Sequence, residues 1–326
     1  MSRSRLFPVL ALFLLANLSS RSAPATHTYS VHQSVDGGAT WREFPHPFKS
    51  IRVNALHANG DRVWAGTENG LFASRDGGKT WRDLAQSRLG NIQSIAATAD
   101  VMVLGTKSGI WRAEKGSDWS QSAELKSRII RAVATDGTSF YAGLDSGGVL
   151  ASADKGVTWQ KLPEGLPAQC QIFELKTNAA GELFAGLYSK GFYAFRNGAW
   201  QNMGAPFAFT ILPLADDTNI VGGNPGGVLR TDDGGKTWSN ASGLPSRAPT
   251  WMLFKHKQTL FVGATGKSAL FRSDDLGRNW FPLAEKYFGN KAVVAMAATE
   301  HALVIATVNP PTPEWMDVGK IARLSD

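Results

Sequence analysis

Short apolar runs alternate along the chain with clusters of Gly, Asp, Asn and Pro. None holds a 3.6-residue apolar period long enough for a good helix, and each has the length of one β-strand. The runs fall into sets. One set ends in a small residue: VWAGT (63–67), MVLGT (102–106), FYAGL (140–144), LFAGL (183–187), IVGGN (220–224), LFVGA (260–264) and LVIAT (303–307). A second precedes each of these, as in IRVNAL, IQSIAA and IIRAVA, and a third follows, as in GLFAS, GIWRA and GVLAS. A fourth starts at a tryptophan: Trp41, Trp81, Trp119, Trp159, Trp200, Trp238 and Trp280, spaced 38 to 42 residues apart. Four short strands recurring about every 40 residues are the signature of a β-propeller blade. The expected fold is therefore all-β, a single seven-bladed propeller. The first tryptophan precedes any complete blade, so the N-terminal ATWREF is expected to supply the outer strand of the last blade and close the ring. TYSVHQS and KIARLS both suit the third strand of that blade.

The tryptophans end a fuller box, Ser/Thr-x-Asp-x-Gly-x-Thr-Trp. It stands at Ser34–Trp41, Ser74–Trp81, Ser152–Trp159 and Thr231–Trp238, and at Ser273–Trp280 with Asn279 in the Thr place. The copies ending at Trp119 and Trp200 are decayed. SRDGGKTW contains Gly-Lys-Thr, which suggests a phosphate loop. That loop needs a further Gly five residues earlier, where this chain has Ala73 and Arg230, and a helix to follow, where it has TWRDL and TWSNA. A turn between third and fourth strands explains the residue types better. The carboxylates of Asp36, Asp76, Asp154, Asp233 and Asp275 accept backbone N–H groups of their own loop. Gly takes positive φ, the hydroxyls tie down remaining polar groups, and Trp buries a large surface. Trp41, Trp81, Trp159, Trp238 and Trp280 are thus expected to be structural.

This pattern closely resembles the Asp-box, or BNR, repeat of sialidases, the sortilin luminal domain, certain xyloglucan hydrolases and the photosystem II stability/assembly factor family. The match to the last extends across nearly the whole chain after its N-terminal segment. The resemblance implies a propeller whose first strands line a central channel, with joining loops on the face opposite the boxes. It also implies non-catalytic binding of a protein partner. A sialidase-like glycoside hydrolase is the alternative. It would need three arginines on the substrate carboxylate, a Tyr/Glu pair and an acid. IRVN lacks the Pro of the sialidase Arg-Ile-Pro motif, and the full set does not assemble from the sequence.

On the face opposite the boxes, rigid aromatics and charged loop residues are the binding candidates: Trp315, Tyr188, Lys190, Lys49 and Tyr287, with Arg52 and Arg131 on inner strands. Trp315 sits in the one long inner loop, NPPTPEWMDV (309–318), either as a recognition element or as a cap on the ring join. No metal is expected, because the six His lack zinc spacing and the box acids lack the EF-hand pattern. No cofactor is expected either.

Composition and charge add a location. MSRSR, then LFPVLALFLLANL, then SAPA make residues 1–25 a candidate secretion signal, leaving 26–326 as the propeller. No later stretch is long and apolar enough to span a bilayer. Taking the segment's three arginines from the 34 basic residues leaves 31 against 27 acidic ones. That balance is too mild to point to nucleic acid. Cys170 is the only cysteine, expected to be buried and inert, so the core and not a disulfide must hold the fold. The expected product is an exported monomer, periplasmic or extracellular, meeting a protein or glycan partner.

Overall fold

Seven antiparallel sheets, each of four strands, account for nearly all regular structure in the computed structural model. It describes residues 27–309, except 85–87, 216, 224–226, 246–248 and 267. Residues 1–25, Trp315 and the KIARLS run lie outside the described residues. The innermost strands of blades 1 to 6 are Val53–Asn59, Ile92–Ala97, Ile130–Thr135, Ile172–Thr177, Thr210–Pro213 and Thr250–His256. Blade 7 begins with Ala292–Ala298. One helical turn, Glu285–Phe288, joins blades 6 and 7.

The ring closes with two N-terminal strands. Thr28–Ser34 pairs with Leu303–Asn309 as the third strand of blade 7, and Arg42–Phe44 is its outer strand. TYSVHQS thus takes the place for which it competed with KIARLS. Its burial explains the choice, since Tyr29 and Val31 are both in the core.

A hydrophobic cluster lies between each pair of neighbouring blades. Close approach there depends on the small residue just before the end of each second-strand run. A Cβ on Gly66 would sit 2.7 Å from Ile92 of the next blade, and one on Gly143 would sit 2.5 Å from Ile172. Both are too close for real atoms, so the glycine lets a β-branched residue of the next blade seat against the strand. In blade 5 this glycine is Gly222, opposite Thr210. The blade 5 run therefore starts at Asn219, one residue earlier than the apolar pattern suggests.

The boxes are turns at the end of each third strand. In the first, Asp36 Oδ1 accepts from Ser34 Oγ (2.8 Å) and Thr40 N (2.9 Å), and Oδ2 accepts from Thr40 Oγ1 (2.5 Å). Gly38 N donates to Ser34 Oγ, and Trp41 Nε1 donates to Gly38 O at 2.8 Å. The same bonds to the acid recur at Asp76, Asp154 and Asp233. At Asp275, Asn279 Nδ2 replaces the Thr hydroxyl at 2.7 Å. The bonds from Thr40 and Ser34 hold the Asp36 carboxyl down at about 2. Trp238 differs from the other box tryptophans by donating to Met203 O, 2.7 Å away, in the preceding blade.

Candidate binding site at the channel mouth

Six innermost strands carry a register slip near their start, each skipping one residue in the pairing register: Asn54, Gln93, Arg131, Phe173, Trp251 and Val294. A bulge re-aims a side chain and ends regular pairing. Strands alternate direction within a blade, so these residues lie at the end of the channel opposite the boxes. In blade 5, Phe209 holds the corresponding place just before Thr210, with its N–H donated to Gly222 O at 2.9 Å. All seven line, or sit at the entrance of, a central cavity of about 670 Å³.

The mouth has two unlike halves. Blades 4 to 6 present an aromatic arc. Phe173 lies 5.3 Å from Phe209, which meets Trp251 edge-on at 5.9 Å. Tyr188 packs against both Phe173 (5.5 Å) and Phe209 (6.2 Å). Blades 1 to 3 present polar groups: Asn54, Gln93 and Arg131, with Arg52, Glu68 and Lys107 around them. Arg131 joins the two halves. Its guanidinium sits 5.0 Å over the Phe173 ring and pairs with Asp145. Burial lowers the pKa of Arg52. The nearby Arg131 charge lowers it further, while Tyr29 and Glu68 oppose both.

Below the mouth the innermost strands are tied to one another. Innermost strands present sheet edges, and their free backbone groups need partners. Side chains of the neighbouring blade supply them. Glu174 Oε2 accepts from Ile211 N at 2.6 Å, Ser94 Oγ from Val133 N at 3.1 Å and Thr210 Oγ1 from Leu253 N at 3.0 Å. Lys176 Nζ donates to the carbonyls of Ile211 and Leu253 and pairs with Glu174 at 2.9 Å. These groups are committed to the scaffold, so ligand chemistry is left to the mouth.

The structure gathers three of the sequence candidates here: Arg52, Arg131 and Tyr188. The others lie away from the cavity lining. Lys190 is exposed, with Nζ donating to Ala168 O at 2.7 Å. Lys49 is exposed, and its carbonyl accepts from Tyr29 N. Tyr287 packs between blades 6 and 7, with Lys286 over its ring. Phe173, Phe209, Trp251, Gln93 and Asn54 were not among the candidates. A signal existed for one of them, because Trp251 falls outside the box series and inside an inner-strand run.

Among the described residues, no set of three or more His, Cys, Asp or Glu could hold a metal ion. No helix among them is long and apolar enough to cross a membrane.

No protein-family model matches the chain. No curated protein sequence matches it. Solved structures share its fold. The extracellular domain of the putative hybrid two component system BT4673 from B. thetaiotaomicron superposes with a TM-score of 0.63 at 14% identity, over 79% of this chain and 38% of that one. YCF48 bound to D1 peptide gives 0.62 at 17% identity, over 85% and 96% of the two chains. YCF48 from Cyanidioschyzon merolae gives 0.60 at 14% identity, over 82% and 98%. The chain thus spans well under half of the first of these and nearly the full length of the other two. At such identities the likeness establishes a shared propeller fold.

Proposed function

We propose that the protein is an exported binding propeller that recognises a protein or glycan partner at the channel mouth. One observation carries this reading: the blades give the mouth side chains of quite different chemistry. An aromatic arc faces a cluster of amides and cations across a single opening. Flat aromatic surfaces beside fixed polar groups suit extended, amphipathic ligands such as a peptide segment or a sugar chain. Two fold neighbours are YCF48 structures, one of them bound to a peptide, which supports a protein ligand. The box pattern supports kinship with Asp-box repeat propellers. The basic-then-apolar start of the chain supports export to the periplasm or beyond.

The hydrolase alternative rests on Arg52 and Arg131 meeting in one mouth. Among the described residues lining the cavity, these two are the arginines present, one short of a three-arginine carboxylate clamp.

The test is affinity capture from the native cell envelope, run beside a glycan array. Wild type is compared with an Arg131→Ala, Lys107→Glu variant whose folding is checked by circular dichroism. Loss of one specific protein or glycan from the variant supports the mouth as the site. Identical capture by both proteins, or cleavage of an arrayed glycan by wild type, overturns the reading.

A further inference from the structure

At the box end of the molecule, between blades 4 and 5, lies a second cavity of about 360 Å³. It is separate from the channel mouth and owes nothing to the function proposed above. Asn219 lines it. This side chain is 1% exposed, and its Oδ1 has no hydrogen-bond partner among the described residues. Its Nδ2 donates to Asp217 O at 3.3 Å, so the donor side of the amide is used and the acceptor side is not.

The repeat shows how unusual this residue is. Asn219 stands three residues before Gly222, on the side of its strand that faces the preceding blade. The same place in the other six blades holds Val63, Met102, Phe140, Leu183, Leu260 and Leu303. All six are apolar and contribute to the cores between blades. Burying an amide oxygen without a donor costs free energy that a leucine would not. The other blades do without an amide at this place, and a donor held in the cavity would satisfy its oxygen.

The surroundings define that donor. Glu182 and Asp217 bring two negative charges, and Arg196 brings one positive charge. Arg196 Nε lies 2.7 Å from Glu182 Oε1 as an ion pair without hydrogen-bond geometry, and its Nη2 donates to Asp217 Oδ1 at 3.2 Å. Among the described lining residues, one negative charge is left uncompensated. The Glu182 carboxylate is also engaged by Asn178 Nδ2 at 2.7 Å. Ala179, Ala180, Leu214 and Ala215 form an apolar wall beside these polar groups. Among the described residues, no set of three or more His, Cys, Asp or Glu comes together here to hold a metal ion. The cavity is also many times the ~30 Å³ share of one water molecule.

We infer that this cavity binds an aliphatic primary amine, with the ammonium donating to Asn219 Oδ1 beside Asp217 and the methylene stem on the alanine wall. The ammonium supplies the missing donor and the missing positive charge together. The decayed box of blade 4 favours access. Its turn is the two-residue Asn197-Gly198, both at positive φ, in place of a full eight-residue box.

The experiment is calorimetric titration of the whole protein with n-pentylamine, and with n-pentanol as the neutral isostere. Thermal unfolding is recorded for wild type, Asn219→Leu and Asp217→Asn. Wild type is expected to bind pentylamine and to bind pentanol at least tenfold more weakly. Asn219→Leu restores the residue class of the other blades. It is expected to melt no lower than wild type while losing at least tenfold in pentylamine affinity. Asp217→Asn, at an exposed carboxylate, tests the charge separately and is expected to weaken binding several-fold. Three results would each overturn the inference: no binding of pentylamine at millimolar concentration, equal binding of pentanol, or unchanged affinity in both variants.

Discussion

The two ends of the propeller are built on opposite principles. At the box end, five turns repeat the same bonds around Asp36, Asp76, Asp154, Asp233 and Asp275. At the channel mouth, the bulged positions hold amides in blades 1 and 2, a cation in blade 3 and aromatics in blades 4 and 6. Repetition here marks what every blade needs to fold, and departure from it marks what a blade can give to a ligand. Asn219 is such a departure at the box end, which is why it stands out among six apolar equivalents. If the contrast is right, box-end substitutions cost stability and mouth substitutions cost binding.

The largest expected effect tests that contrast directly. Trp280 is 2% exposed, packs between blades 5 and 6, and donates to Gly277 O at 3.0 Å. Trp280→Ala should lower stability by about 3–5 kcal/mol, as large-to-small changes of buried aromatics do. Phe173→Ala, at the half-buried mouth, should cost only about 1 kcal/mol. Denaturant midpoints at unchanged slope would check both. Equal losses would mean that the aromatic arc is core and not binding surface.

Acid separates the regions next. His32 sits on the N-terminal strand that closes the ring. Its Nε2 lies 3.2 Å from Thr307 Oγ1, and its ring meets Phe288 edge-on. Burial first, then the charge of Lys291, lowers its pKa from 6.5 to about 4, while Glu43 opposes and His46 adds slightly. Above pH 6.5 both folded and unfolded chains carry the neutral ring, and the full stability is present. Between pH 6.5 and 4 the unfolded chain takes up a proton that the folded one does not, so stability falls on acidification. The loss is about 3 kcal/mol once pH drops below 4. The Asp36 turn acts in the same direction in a lower window. Its carboxyl is held from 3.8 down to about 2, so its contribution disappears between those values. Melting temperature against pH should therefore show two separate slopes, and His32→Gln should shrink the upper one, to which His46 and His57, also lowered by burial, add in the same direction. A variant that keeps the upper slope in full would assign it to another group.

How much of this was legible in the sequence follows the same division. The boxes were readable because their bonds are local: Ser, Asp, Gly and Thr within seven residues make the whole turn. Arg42–Phe44 was readable as the closing outer strand because Trp41 came one blade early. The mouth is readable only in part: Arg52, Arg131 and Tyr188 stand out in the sequence, while Asn54, Gln93, Phe173 and Phe209 do not. Its bulges are set by how innermost strands meet around the channel, and no local pattern announces that Arg131 will lie over Phe173. Asn219 was hidden by a frame shift. Gly222 and Gly223 look alike in sequence, and aligning on the second begins the run at Ile220. The register of Gly222 opposite Thr210 corrects it. Lys190 and Tyr287 have residue types that suit a binding loop, and type alone does not say whether a loop reaches the cavity.

A smaller effect sharpens the box side. Asp76 accepts from Ser74 Oγ (2.7 Å), Lys79 N (3.1 Å), Thr80 N (2.9 Å) and Thr80 Oγ1 (2.6 Å). Asp76→Ala strands these donors, most of them near solvent, and should cost about 1–2 kcal/mol. That is well below the cost of losing a box tryptophan. A loss as large as that of Trp280→Ala would show that the turn, and not the indole, anchors the blade.

The smallest expected effect decides what the box is made of. In blade 6 the Thr position holds Asn279, whose Nδ2 donates to Asp275 Oδ2 at 2.7 Å, while the Thr hydroxyls of the other boxes reach the same oxygen at 2.5 to 2.6 Å. The backbone N–H of residue 279 donates to Oδ1 at 3.0 Å in either case. Its neighbours hold Ser242 through main-chain bonds, Ser242 N to Arg278 O and Trp280 N to Ser242 O. None of these bonds depends on the side chain at 279. Asn279→Thr exchanges one exposed donor for another and should change stability by less than about 0.5 kcal/mol, the range of ordinary surface changes. Asn279→Val, close to Thr in shape but without a donor, should cost more, because Asp275 Oδ2 loses a partner. A neutral Thr and a costly Val would define the box by a hydrogen bond to the carboxylate rather than by residue identity. Equal costs would mean that the side chain at 279 acts by shape, and that the decayed boxes of blades 2 and 4 lost less than their sequences suggest.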